Sequence, residues 1–151
     1  MDHREKAAEL FVNGKNCAQA VAVAFCDVTG LEPELAAKLS SSFGGGMGRM
    51  REVCGAFSGM VLVLSGLYGS ADPARKTEMY AEIQALAARY KQENGGNSII
   101  CRELLGLDKP EGDPHASPRT DAYYKKRPCA ELCRIAADEL AEYIAAHPLE
   151  G

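Results

Sequence analysis

The sequence predicts an all-α fold: a compact bundle of five to seven helices with one buried central helix. Three observations predict it. Apolar residues recur at helical spacing, as in Cys17, Val21, Ala24, Phe25 and Val28 at offsets 0, 4, 7, 8 and 11. Capping and stop signals bracket these stretches. A chain of 151 residues with 46% apolar content has the size and composition of one globular domain, taken as residues 1–151.

The elements follow in order. Residues 3–12 form a charged helix with Ala7, Leu10 and Phe11 inward. Asn16 caps a second helix, which Gly30 stops, and Glu32 to Leu39 is a shorter one ending in three serines. The glycine-rich turn Gly44-Gly45-Gly46-Met47-Gly48 leads into a stretch from Arg49 to Tyr68. Its apolar run, Met60 to Leu64, suits either a buried strand or a buried helix. Gly55 and Gly59, one turn apart beside Ala56 and Ser58, favour a helix that neighbouring backbones approach closely, and this is the expected central helix. Asp72-Pro73 starts a helix over 73–93 with Tyr80, Ile83, Ala87 and Tyr90 on one side. Ser98 caps a short helix through Leu105. Residues 107–127 carry three prolines and no hydrophobic period, so the loop is either mobile or ordered over a site. Pro128 opens the last helix, with Leu132, Cys133, Ala136, Leu140, Tyr143 and Ile144 inward.

Charge and hydropathy exclude two classes of partner. The 17 basic and 21 acidic residues give a net charge of −4, and Lys125-Lys126-Arg127 is too small a basic patch for a nucleic-acid binder. Within the longest uncharged stretch, the apolar part Val53 to Tyr68 has 16 residues with three glycines, where a membrane span needs roughly 20 mainly apolar residues. The N-terminus lacks the apolar run of a signal peptide. A cytoplasmic location is therefore expected, and structural disulfides are rare there.

Against that background six cysteines point at metal or redox chemistry. Cys17 follows the Asn16 cap, Cys101 lies three residues after Ser98, and Cys129 follows Pro128. First helical turns offer unpaired N–H groups and the positive end of the dipole, which favour thiolate, the form that attacks and ligates. Cys54 sits just past the glycine turn, where backbone can come close. Cys26 is mid-helix and Cys133 lies on a core face, where a cysteine serves as a small buried hydrophobe. No Cys-x-x-Cys pair occurs, and separations of 37, 47 and 28 residues between the other four resemble neither a zinc ribbon nor a ferredoxin. The glycine turn fits neither G-x-G-x-x-G nor the P-loop; it reads as an anion cradle or as a tight packing turn. His3, His115 and His147 lack partners at ligand spacing. Tyr123 and Tyr124 either shield a site or pack down.

Cys54-Gly55-Ala56-Phe57-Ser58-Gly59 is similar to the CGAxxG motif of the family named for its C_GCAxxG_C_C pattern and described as redox-active. Asn16-Cys17-Ala18-Gln19 looks like its first cysteine segment, and Cys101 and Cys129 fall where its third and fourth cysteines belong. The resemblance, over roughly residues 10–145, implies one redox site built from Cys17, Cys54, Cys101 and Cys129. A related arrangement in the iron–sulfur part of split-Soret cytochromes implies, by analogy, a cluster on these four thiolates. The expectation is a [2Fe–2S] cluster for electron transfer, with Gly46, Gly48 and Gly55 giving close backbone approach. Metal-free thiol–disulfide chemistry, with Cys133 one turn from Cys129, and a zinc-stabilised interaction module are the alternatives. The chain departs from the relative in lacking a haem attachment site and in carrying Cys26 and Cys133. A redox partner of unassigned identity, a homodimer, and a 53–68 small-residue face packed tightly within the domain or across that dimer complete the expectations.

Overall fold

Caps set most helix starts in the computed structural model, which describes residues 2–107 and 112–149, without the side chains of Lys125 and Lys126. Asp2 accepts the Glu5 N–H at 2.8 Å and opens α1, His3–Val12. Asn16 and Gln19 form a reciprocal capping box that opens α2, Cys17–Ala24. The chain leaves helical geometry at Phe25, restarts as α3, Cys26–Thr29, and stops at Gly30 with φ +78°. Next comes α4, Pro33–Ser40, with proline in its first turn. After an irregular stretch, α5 spans Gly55–Tyr68 and α6 spans Lys76–Glu93. Then follow α7, Cys101–Leu104, α8, Asp121–Lys126, and α9, Cys129–Ala146.

The all-α expectation holds among the described residues, but the count of five to seven helices does not. Nine are present, because α3 breaks away from α2 at Phe25 as a separate piece and α8 is a further short helix. Thr120 caps α8 by accepting the Tyr123 N–H, which places a helix inside the expected 107–127 loop. The expected helix over 49–68 begins only at Gly55, because Gly45, Gly46, Met47, Gly48, Arg49 and Arg51 all have positive φ. One antiparallel bridge, Val53 with Ile100, joins that stretch to the start of α7.

The central position belongs to α2 rather than to α5. Every α2 residue except Gln19 is buried, and Gln19 donates to the Ala37 carbonyl, whereas α5 leaves Ser65 and Gly66 exposed. The reason is side-chain size: alanines at 18, 20, 22 and 24 let α1, α4, α5 and α9 all pack against α2. Gly59 shows how close that packing is, since a Cβ there would lie 2.7 Å from the Ala18 carbonyl oxygen. The small-residue face of α5 thus packs within the chain. On α6 only the C-terminal part is covered: Leu86 and Tyr90 are buried, while Tyr80, expected inward, is exposed. Among the described residues no helix is long and apolar enough to cross a membrane.

Candidate functional site

Four helix N-termini meet at one cavity of about 380 Å³. Cys17, Cys101 and Cys129 are the first residues of α2, α7 and α9, and Cys54 is the N-cap of α5. All four line the cavity and are buried, between 4% and 9% exposed. Two backbone bonds register the second and third: the Cys54 N–H donates to the Ile99 carbonyl (2.7 Å), and the Cys101 N–H donates to Glu52 (2.5 Å).

The left-handed run explains the glycine turn. Within it the N–H groups of Arg51 and Glu52 donate to the carbonyls of Gly45 and Gly46, curling the chain back on itself. A Cβ on Gly46 would lie 2.6 Å from the Cys101 Cβ, and one on Gly55 would lie 3.2 Å from the Cys17 Cβ. Both glycines therefore back directly onto cysteines. Gly48, singled out with them, lines the cavity without such an approach; its φ of +56° is what the position requires.

The family model described as "Putative redox-active protein (C_GCAxxG_C_C)" matches residues 15–143. The chain belongs to this family. No curated protein and no solved structure matches it. The match covers all six cysteines, and the structure separates them. Cys17, Cys54, Cys101 and Cys129 share the cavity. Cys26 stands apart, half-buried, with its thiol 3.9 Å from the Ala22 carbonyl oxygen. Cys133 is fully buried beneath the site, its thiol donating to the Cys17 carbonyl oxygen at 3.9 Å.

The expected thiolate preference at the family cysteines does not survive burial. Burial pushes the Cys54 thiol up to about 11, against hydrogen bonds from Tyr90 and from the backbone N–H groups of Phe57 and Ala56. The helix N-terminus thus favours thiolate at Cys54 as well, but is outweighed. At Cys17 the bond with Cys129 lowers the value, yet the Cys133 bond, burial and neighbouring thiolate charge carry it well above the ordinary range. Cys129 is raised by its bond with Cys17 and then by burial, and Cys101 by burial against the adjacent Arg51. Burial and neighbouring thiols outweigh the adjacent positive charge, and these are thiols at neutral pH.

That charge is nearby. Arg49, Arg51, Arg119 and Arg127 line the cavity, and no carboxylate does so among the described residues. Arg51, 5% exposed, donates to the Cys101 sulfur at 3.8 Å. Arg49 reaches across to the Asp113 carbonyl (2.8 Å) and the Ser117 hydroxyl (3.1 Å). Arg119 donates to the carbonyls of Phe11 and Lys15 and lies over the Phe11 and Tyr123 rings. These contacts order the described part of 107–127 over the site, with Pro114, Ser117 and Tyr123 on the cavity wall. The Lys125 and Lys126 side chains and residues 108–111 of that loop lie outside the described residues.

Among the described residues no three of the His, Cys, Asp and Glu side chains stand close enough to hold one metal ion. The four cysteines instead surround a void. Sequence reasoning missed Tyr90, whose hydroxyl lies 3.3 Å from the Cys54 sulfur, because its spacing marks only an apolar helix face. It also missed the arginines. The two flanking Met50 were visible as basic residues beside a glycine turn, but nothing local aims them at Cys101.

Proposed function

We propose that Cys17, Cys54, Cys101 and Cys129 hold an iron–sulfur cluster, a [2Fe–2S] centre, and that the protein carries electrons. The observation that carries this is the pairing of four buried cysteines with four arginines and four helix N-termini around one cavity. A four-thiolate cluster is a net anion, and this wall supplies cationic and N–H groups for an anion in a chain whose net charge is −4. The residues fit such a group in two further ways. Four soft thiolates suit iron–sulfur ligation. The Gly46 and Gly55 backbones leave free the space that a Cβ would fill beside Cys101 and Cys17.

When bound, the cluster supplies one-electron chemistry. The chain does the rest. The arginines and helix ends stabilise thiolate over thiol, Phe11 and Leu132 exclude water from the wall, and the Arg49 and Arg119 contacts hold the covering segment in place. Because the cysteines are thiols in the metal-free chain, loading releases their protons and tightens as pH rises.

A second reading rests on the Cys17 and Cys129 thiols sharing one cavity wall, with the Cys133 thiol against the Cys17 carbonyl. Those three suit thiol–disulfide exchange without metal. Anaerobic purification with a visible spectrum and assays of iron, acid-labile sulfide and zinc decides between them. Coloured protein with equal iron and sulfide supports the cluster. Colourless protein with titratable thiols that oxidise to a Cys17 disulfide supports exchange. Stoichiometric zinc overturns both.

A further inference from the structure

We propose that Tyr90 is a positioning residue of the cysteine site, setting the redox potential through Cys54. The inference rests on the cluster reading above and adds a residue to it. Tyr90 comes from α6, 36 positions along the chain from Cys54, and is completely buried. A buried phenol needs a hydrogen-bond partner, and the one the Tyr90 hydroxyl meets is the Cys54 sulfur, at 3.3 Å. Phe57 of α5 packs beside the ring, with centroids 5.6 Å apart.

The four cysteines are not equally provided. Cys54 has Tyr90, Cys101 has Arg51, and the Val53–Ile100 bridge ties these two together. Cys17 and Cys129 neighbour each other with the Cys133 thiol beneath Cys17, and Arg127 and Arg119 reach Cys129 through charge rather than through a hydrogen bond to its sulfur. A hydrogen bond donated to a ligating sulfur stabilises negative charge there, and reduction adds negative charge. The Cys54–Cys101 half is therefore the half that takes up charge on reduction, and Tyr90 raises the potential of the site.

The test uses the full chain in two states. After anaerobic reconstitution with ferrous iron and sulfide, the midpoint potential is read by dye-mediated titration with dithionite. Tyr90→Phe should bind the same amount of iron and have a lower potential. Phe57→Leu disturbs the same ring without touching the hydroxyl and should leave the potential unchanged. In the metal-free chain the Cys54 S–H stretching band, identified by its loss in Cys54→Ser, should move in Tyr90→Phe and stay put in Phe57→Leu. An unshifted potential in Tyr90→Phe, or an equal shift in Phe57→Leu, overturns the proposal. If the chain takes up no iron, the cluster reading fails by itself. The S–H band then decides alone: an unmoved band overturns the Tyr90 contact, and a moved one upholds it.

Discussion

Helix α9 buries a polar group in two places, and the two are provided for in opposite ways. At its first residue, Cys129 meets the Cys17 thiol, the nearby charge of Arg127 and three other helix N-termini around a cavity. Ten residues on, Glu139 is 0% exposed and neither carboxylate oxygen has a hydrogen-bond partner among the described residues. The pKa is raised at both, at Cys129 by the Cys17 thiol and then by burial, and at Glu139 by burial, to about 8 against 4.5 in the open chain. Around Glu139 the other charges are Glu93, Arg89 and Glu142, and Arg89 is already paired with Glu142 and Glu93. The difference teaches where this fold spends polar interactions. Its cations and helix ends collect where protons must leave, and the core carboxyl is left to stay protonated.

The largest expected effect attacks that contrast at the cysteine end. Arg127→Glu sets a negative charge beside Cys129 and Cys101, whose thiolates Arg127 favours. Like charges brought together cost several kcal/mol, so iron affinity in a chelator competition should fall by about a hundredfold or more, with the helical far-ultraviolet spectrum retained.

At the other end the expected effect depends on pH. The folded pKa of Glu139 is above its unfolded value, so the unfolded chain loses the proton first. Stability is therefore full below about 4.5 and falls as pH rises towards about 8. At about 1.4 kcal/mol per pKa unit the loss is on the order of a few kcal/mol. Denaturant unfolding across this window should show the slope in the wild type and lose it in Glu139→Gln. An unchanged slope would mean that Glu139 is not the group responsible.

Two glycine substitutions sharpen the cysteine end further. Gly59→Leu should cost on the order of 1–3 kcal/mol by forcing α2 and α5 apart at Ala18, read as a lower melting temperature. Gly48→Ala has open space around it and only a positive φ to sustain, so it should cost about 1 kcal/mol and leave iron binding intact. A loss of iron in Gly48→Ala would show that this backbone touches the cluster.

What the sequence revealed was local. The Asn16 capping box, the Asp72-Pro73 signal and the Gly30 stop carry their own geometry, and the structure keeps all three. The break at Phe25 left no such mark, so α2 and α3 read as one helix. Glycines announced a turn after Phe43, but Met47, Arg49 and Arg51 take positive φ because the backbone bonds of that curl hold them there. Cys17, Cys101 and Cys129 were legible as helix starts, and all four cysteines as a family motif. Their protonation was not, since it depends on burial by α1, α6 and the segment after 112, and on Tyr90 and the arginines brought from far along the chain.

The central claim is that four cysteines, and not six, make one cluster site. The measurement that tests it most directly is iron and sulfide content of the six single Cys→Ser variants after anaerobic reconstitution. Ser at 17, 54, 101 or 129 should abolish or severely weaken cluster binding, and Ser at 26 or 133 should leave it intact. Retention of the cluster in Cys54→Ser together with its loss in Cys26→Ser would contradict the account.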